Sequence, residues 1–163
     1  MPETPLQRAL RDSVQEVLEK MFFVEPVEEP PGAADAPEGE MAVQLAFEGL
    51  PSGALTLRLT TAAARQIAAD FLGEDASGLS PVKVEEVVCE LANMICGSVL
   101  SRVESTATFR LASPRLLGAE ERPDRRQAAD GRAVHAVSVG SGTLTASVET
   151  RDPVCPPVEE SGF

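Results

Sequence analysis

Apolar residues recur every three or four positions between Thr4 and Phe23, where Leu6, Leu10, Val14, Val17, Leu18 and Met21 line one side of an amphipathic helix. Thr4 suits its cap and Pro5 its first position. From Glu25 to Glu40 the periodicity stops and Pro, Gly and Glu dominate, which predicts a loop. Met41, Val43, Leu45 and Phe47 alternate with other residues, Gly49 to Gly53 makes a turn, and Leu55, Leu57 and Leu59 alternate again. This is a β-hairpin with one buried face. Thr60 or Thr61 can cap a helix from Ala62 to Leu72, stopped by Gly73. Ser80 and Pro81 open the longest helix, about Val82 to Val103, and Ser105 to Leu111 reads as a strand. Val134 to Val139 and Thr143 to Val148 alternate about Gly140-Ser141-Gly142, a second hairpin.

The order helix, hairpin, helix, helix, strand, hairpin predicts an α+β fold, an antiparallel β-sheet with two long helices packed on it. One domain is expected over residues 1–150, with an acidic Pro-rich loop at 25–40, a charged loop at 118–132 and a flexible tail at 151–163. A hydrophobic fraction of 43% and a charged fraction of 25% are ordinary for a globular chain. At 163 residues the chain can bury roughly two-thirds of its unfolded surface without disulfides or metal. The formal charge of -12 argues against a nucleic acid partner, which Lys and Arg must bind, and favours a partner with basic features. No stretch approaches the length of an apolar span and the first residues lack a signal pattern, so a cytoplasmic, membrane-free protein is expected. Cys89 and Cys96 stand about 10 Å apart along the predicted helix, too far for a disulfide, and Cys155 lies in the tail. A reducing compartment fits this arrangement.

At 100° per residue, Val84, Val87, Val88, Leu91, Ile95 and Ser98 fall on one broad face of the long helix, which must pack on the sheet. Glu86, Glu90, Asn93 and Gly97 fall on the opposite side within about 60° of one another. Gly97 costs up to about 1 kcal/mol of helix propensity relative to alanine, so something gains from its missing side chain. A partner's backbone approaching the helix would explain it, and so would close helix packing. Taken without further context, a solvated helix face explains the three polar residues.

The run Glu90-Leu91-Ala92-Asn93-Met94-Ile95-Cys96-Gly97, the Ser80-Pro81 cap, the later Pro114 and the opening Val17-Leu18-Glu19-Lys20-Met21-Phe22-Phe23 together resemble the CheC/CheX/FliY chemotaxis phosphatases, and CheX-like members in particular. The resemblance spans roughly Leu6 to Val148 and is most specific from Pro81 to Pro114. It implies hydrolysis of the aspartyl phosphate of a CheY-like receiver domain. Asn93 would orient the attacking water and Glu90 would meet the receiver's active-site lysine. Glu86 is left an auxiliary docking role, alongside Gly97 and Pro114. An amide suits the task because its C=O accepts from water while its NH2 donates to water or a phosphoryl oxygen, without added charge. No cofactor of its own is implied, the Mg2+ being supplied by the phosphorylated receiver. Two-site members carry a second Glu-x-x-Asn in the first helix, where this chain has Glu16 and Glu19. A carboxylate in place of the amide would repel the phosphoryl group, so one active helix per chain is expected. The resemblance also implies a homodimer joined through the sheets. The alternative is a noncatalytic CheX-like module that binds a receiver domain or other signalling partner.

Other chemistry is sparse. His135 is the single histidine and reads as an ordinary strand position, and no His-rich or CxxC metal pattern exists. Gly140-Ser141-Gly142 lies between two strands and is a turn, not a nucleophile elbow. Arg122, Arg125 and Arg126 interleave with Pro123 and Asp124 as a solvated loop.

Overall fold

A computed structural model describes residues 4–22, 24–28, 40–49, 52–103, 109–118, 131–140 and 142–151. Helix α1 (Pro5–Met21) begins as its sequence requires: the Thr4 hydroxyl accepts from the Gln7 amide at 3.0 Å, and Pro5 needs no N–H partner in the first turn. Two long strands follow, β2 (Glu40–Glu48) and β3 (Ser52–Thr60), paired antiparallel with Leu45 opposite Leu55 and Val43 opposite Leu57. Thr60 ends β3 and caps α2 (Thr61–Leu72), its hydroxyl accepting from Ala63 N at 3.2 Å and Thr143 N at 3.0 Å. Gly73 closes α2 in the left-handed conformation at φ 69° and donates to Ala69 O. Ser80 caps α3 (Pro81–Val103) by accepting from Lys83 N at 3.2 Å. The second hairpin is β6 (Arg132–Val139) with β7 (Gly142–Arg151). A side chain at Gly142 would strike Thr60 Oγ1 and Ala63 N, so only glycine lets the hairpin tip meet the start of α2.

The sheet runs β1-β6-β7-β3-β2-β4, where β1 is Val27–Glu28, β4 is Arg110–Leu111, and β5 (Arg115–Leu116) also pairs β2. Its inner face carries Val43, Leu45, Phe47, Leu55, Leu57, Leu59, Ala133, Val137, Leu144, Ala146 and Val148, all at most 2% exposed. All three helices pack on that face, and α3 also packs on α1 and α2. Phe22, just past α1, stacks on Phe71 of α2 with ring centroids 4.5 Å apart. The outer face is polar, with Gln44 donating to Thr56, and Arg58 paired to Glu40 at 3.0 Å.

The expected α+β sheet with two long helices is present, with α2 as a shorter third. Three local differences have physical reasons. Residues 27–28, inside the expected loop, form β1 against Ser138 and Val137, a pair too short to show alternation. The expected strand does not stop at Leu111. After a one-residue slip, it resumes as β5, so that Ser113 and Pro114 share the place opposite Leu45. Proline has no N–H for a ladder, and an edge bulge is where that is tolerated. Arg132, placed in the charged loop by sequence, begins β6 and pairs with Glu149 at 3.2 Å. Residues 29–39 and 119–130, Ser141, positions 104–108 at the start of the expected strand, and the tail from 152 onward lie outside the described residues.

A candidate docking face on the long helix

Helix α3 is held firmly. Val84, Val87, Val88, Leu91, Ala92, Ile95, Cys96, Val99 and Leu100 are at most 4% exposed and form its buried side. Ser98, expected on this side, is only half-buried, and its hydroxyl accepts from Arg102 Nε at 3.3 Å. The apolar arc is therefore rotated toward Ala92, Cys96 and Val99, small or β-branched side chains whose burial periodicity alone underweights. The side facing solvent carries Glu86, Glu90, Asn93 and Gly97. The glutamates and the glycine are exposed, and Asn93 is half-buried at the flank of the row. By helix geometry the row runs about 16 Å along the axis, with Glu90 about 4.5 Å before Asn93.

The row is chemically unengaged. Among the described residues, the side chains of Glu86, Glu90 and Asn93 have neither a hydrogen bond nor an ion pair. Acidic groups on the other helices behave differently. Glu16 accepts from Arg102 and from Lys20, Glu19 accepts from Gln15 at 2.6 Å, and Asp70 accepts from Gln66 at 3.0 Å. The acidic side chains of α1 and α2 thus find local partners, whereas Glu86 and Glu90 have none among the described residues, as is also true of Glu25, Asp75 and Glu85.

The sequence-derived candidates divide accordingly. Glu86, Glu90, Asn93 and Gly97 share one helix face, while Pro114 is half-buried in the bulge at the sheet edge beside β2, on a different element. Gly97 also answers the question its sequence left open, because a Cβ placed there meets no atom within 4 Å. Close packing against the described residues is not its reason. Glu16 carries a contact that the sequence did not reveal, the Arg102 pair that ties α1 to α3. Its signal lay in long-range placement, which periodicity cannot supply.

Elsewhere the candidates fade. His135 is half-buried in β6 opposite Ala146, and no cluster of three metal-ligating side chains occurs among the described residues. Cys96 is buried, which pushes its thiol up to about 12, and burial followed by Glu85 raises Cys89. Neither is a reactive thiolate near neutral pH. A hollow of about 30 Å3 on the outer sheet face, lined by Gln44, Thr56, Arg132, Ser147 and Glu149, is the size of a water and too small for a substrate. No helix among the described residues is long and apolar enough to cross a membrane.

Comparison with known proteins places the fold. The family model described as Chemotaxis phosphatase CheX matches residues 41–134, from β2 into β6 and including all of α3. CheX from Vibrio vulnificus superposes with a TM-score of 0.71 at 21% identity, covering 93% of this chain and 99% of its own. A CheC-like superfamily protein from Shewanella sp. PV-4 gives 0.69 at 19% identity, covering 92% and 99%. The CheX-CheY-BeF3-Mg2+ complex from Borrelia burgdorferi gives 0.67 at 17% identity, covering 88% and 96%. No curated protein sequence matches the chain. With a family model spanning more than half its length and a shared fold over nearly all of it, this chain belongs to the CheX family of chemotaxis phosphatases.

Proposed function

We propose that this protein docks α3 onto a phosphorylated CheY-like receiver and hydrolyses its aspartyl phosphate. Asn93 orients the attacking water and Glu90 pairs with the receiver's active-site lysine. An acyl phosphate is already activated, so the barrier falls chiefly through placing water in line with the leaving carboxylate. Asn93 can do this because its amide offers both an acceptor and donors, while carrying no charge toward the phosphoryl oxygens. Glu86 adds docking charge one turn before Glu90. Pro114 acts on docking only indirectly, through the sheet edge. Mg2+ would come with the receiver, so that this chain supplies no cofactor of its own, and the Borrelia complex of CheX with CheY contains Mg2+. The setting is the cytoplasm, where receivers act.

The observation that carries the reading is the pairing of an unpartnered Asn93 with an unpartnered Glu90 one turn away, on a helix whose opposite side is locked in the core. The test is the decay of an acetyl-phosphate-charged CheY-type receiver. Parent protein should speed it, and Asn93→Ala should cut the stimulated rate by roughly 100-fold or more, as loss of a positioned hydrogen-bonding group does elsewhere. Thermal stability should barely move, since the Asn93 side chain has no partner among the described residues. Unchanged decay with the parent protein, together with retained binding, would favour the noncatalytic module.

The protein is also proposed to act as a homodimer joined through its sheets. The edge strands β4 and β5 present Leu111 at 36% and Leu116 at 41% exposure, which supports a covered edge. Sedimentation velocity reads this directly, and a monomer at micromolar concentration would refute it.

A further inference from the structure

Among the described residues nothing requires Gly97 to be glycine. Its φ is not among the positive values found at Gly73, Gly131 and Gly140, and a Cβ there would stand in open space. Helix propensity opposes it, because glycine in a helix interior is unfavourable relative to alanine. Its place relative to Asn93 is informative. Side chains on a helix lean toward its N-terminus, so a residue at position 97 would cover the surface directly over Asn93, four positions earlier. Asparagine is also short. Its amide reaches another protein's phosphorylation pocket only if that protein comes close to the helix backbone.

We infer that Gly97 is a clearance residue for docking: its bare backbone admits a main-chain segment of the receiver against α3, so that the Asn93 amide can enter the phosphorylation site. The occupant is a receiver domain because the cleared surface is continuous with the unpartnered Glu90 and Glu86, an acidic row complementary to a lysine-bearing active site. The size of residue 97 therefore sets which receivers are accepted. This rests on the reading of α3 as the receiver-binding helix.

The experiment compares Gly97→Ala and Gly97→Leu with the parent full chain. It measures the thermal midpoint, calorimetric affinity for a beryllofluoride-Mg2+-loaded CheY-type receiver, and turnover of the acetyl-phosphate-charged form. Both substitutions should raise the midpoint by roughly 2–4 °C, since they restore helix propensity without an internal clash. Gly97→Leu should nonetheless weaken receiver binding by about tenfold or more, with a smaller loss for Gly97→Ala. A more stable protein that binds worse is not the signature of a structural role. Parent-like affinity and turnover in Gly97→Leu would overturn the inference. If Asn93→Ala left turnover untouched while Gly97→Leu still lost binding, the clearance role would stand and the hydrolytic reading would fall. A parent chain that binds no receiver would overturn both.

Discussion

An asparagine amide sits only two bonds from its backbone, so its usefulness in another protein's active site depends on its neighbours more than on its own reach. Asn93 has neighbours of the right kind: a carboxylate one turn before it, a glycine one turn after it, and no internal partner among the described residues to hold it back. Cys96, about 60° round the helix from Asn93, already falls on the buried side, where the thiol's titration becomes a probe of the core. Burial raises Cys96 from its ordinary 9.0 to about 12, so the folded state keeps this proton while the unfolded chain loses it first. The associated stability is fully present below pH 9 and is lost as pH climbs toward 12. Over that window, chemical denaturation should show the parent losing stability relative to Cys96→Ala by about 1.4 kcal/mol per pH unit. Parallel pH profiles for the two proteins would refute this. At this scale the candidate site was legible in the sequence, because Glu90, Asn93 and Gly97 lie within eight residues on one helix and their phase follows from 100° per residue. What could not be read was Gly97's freedom from packing, which depends on where the other two helices lie.

Helices α1 and α3 are partners of unequal chemistry. Both carry a Glu-x-x pattern, but α1 ends its pattern in Glu19 where α3 has Asn93, and Glu16 is gripped by Arg102 of α3 and by Lys20. A carboxylate already committed to two cations is poorly placed to receive a third from a docking protein. Substituting Glu19→Asn in an Asn93→Ala background should therefore fail to restore receiver dephosphorylation, with turnover staying at the receiver's own rate. Recovery of stimulated turnover would show α1 to be a latent second site. Among the elements, the three helices and both hairpins were legible because caps and periodicity agree: Thr4, Thr60 and Ser80 each accept from the backbone N–H three residues on. The sheet edges were not. Strands β1, β4 and β5 are two residues each, too short for alternation, and depend on pairing with β6 or β2. The same holds for Gln7, whose amide bonds both Val134 O at 2.6 Å and Val134 N at 3.0 Å and so occupies the edge of β6 beside β1.

Across the whole molecule, the proposed docking gives charge and the α3 row different tasks, the first in how a partner arrives and the second in how it stays. A formal charge of -12 surrounds the proposed docking face with a negative field that attracts a basic surface and repels acidic ones. The two contributions separate with salt. Long-range attraction acts on the association rate and is screened once the Debye length shrinks to about 8 Å at physiological ionic strength. Contacts made after docking, such as a lysine against Glu90, act mostly on dissociation. Stopped-flow mixing with a beryllofluoride-loaded receiver should show the association rate falling by about tenfold or more between roughly 10 mM and 300 mM salt. Neutralising the row with Glu86→Gln and Glu90→Gln together should flatten that salt dependence only in part, because most of the acidic residues lie elsewhere, while dissociation should quicken. An association rate indifferent to salt would mean that the acidic surface plays no part in recruitment, and that docking relies on the short-range fit around Asn93 alone.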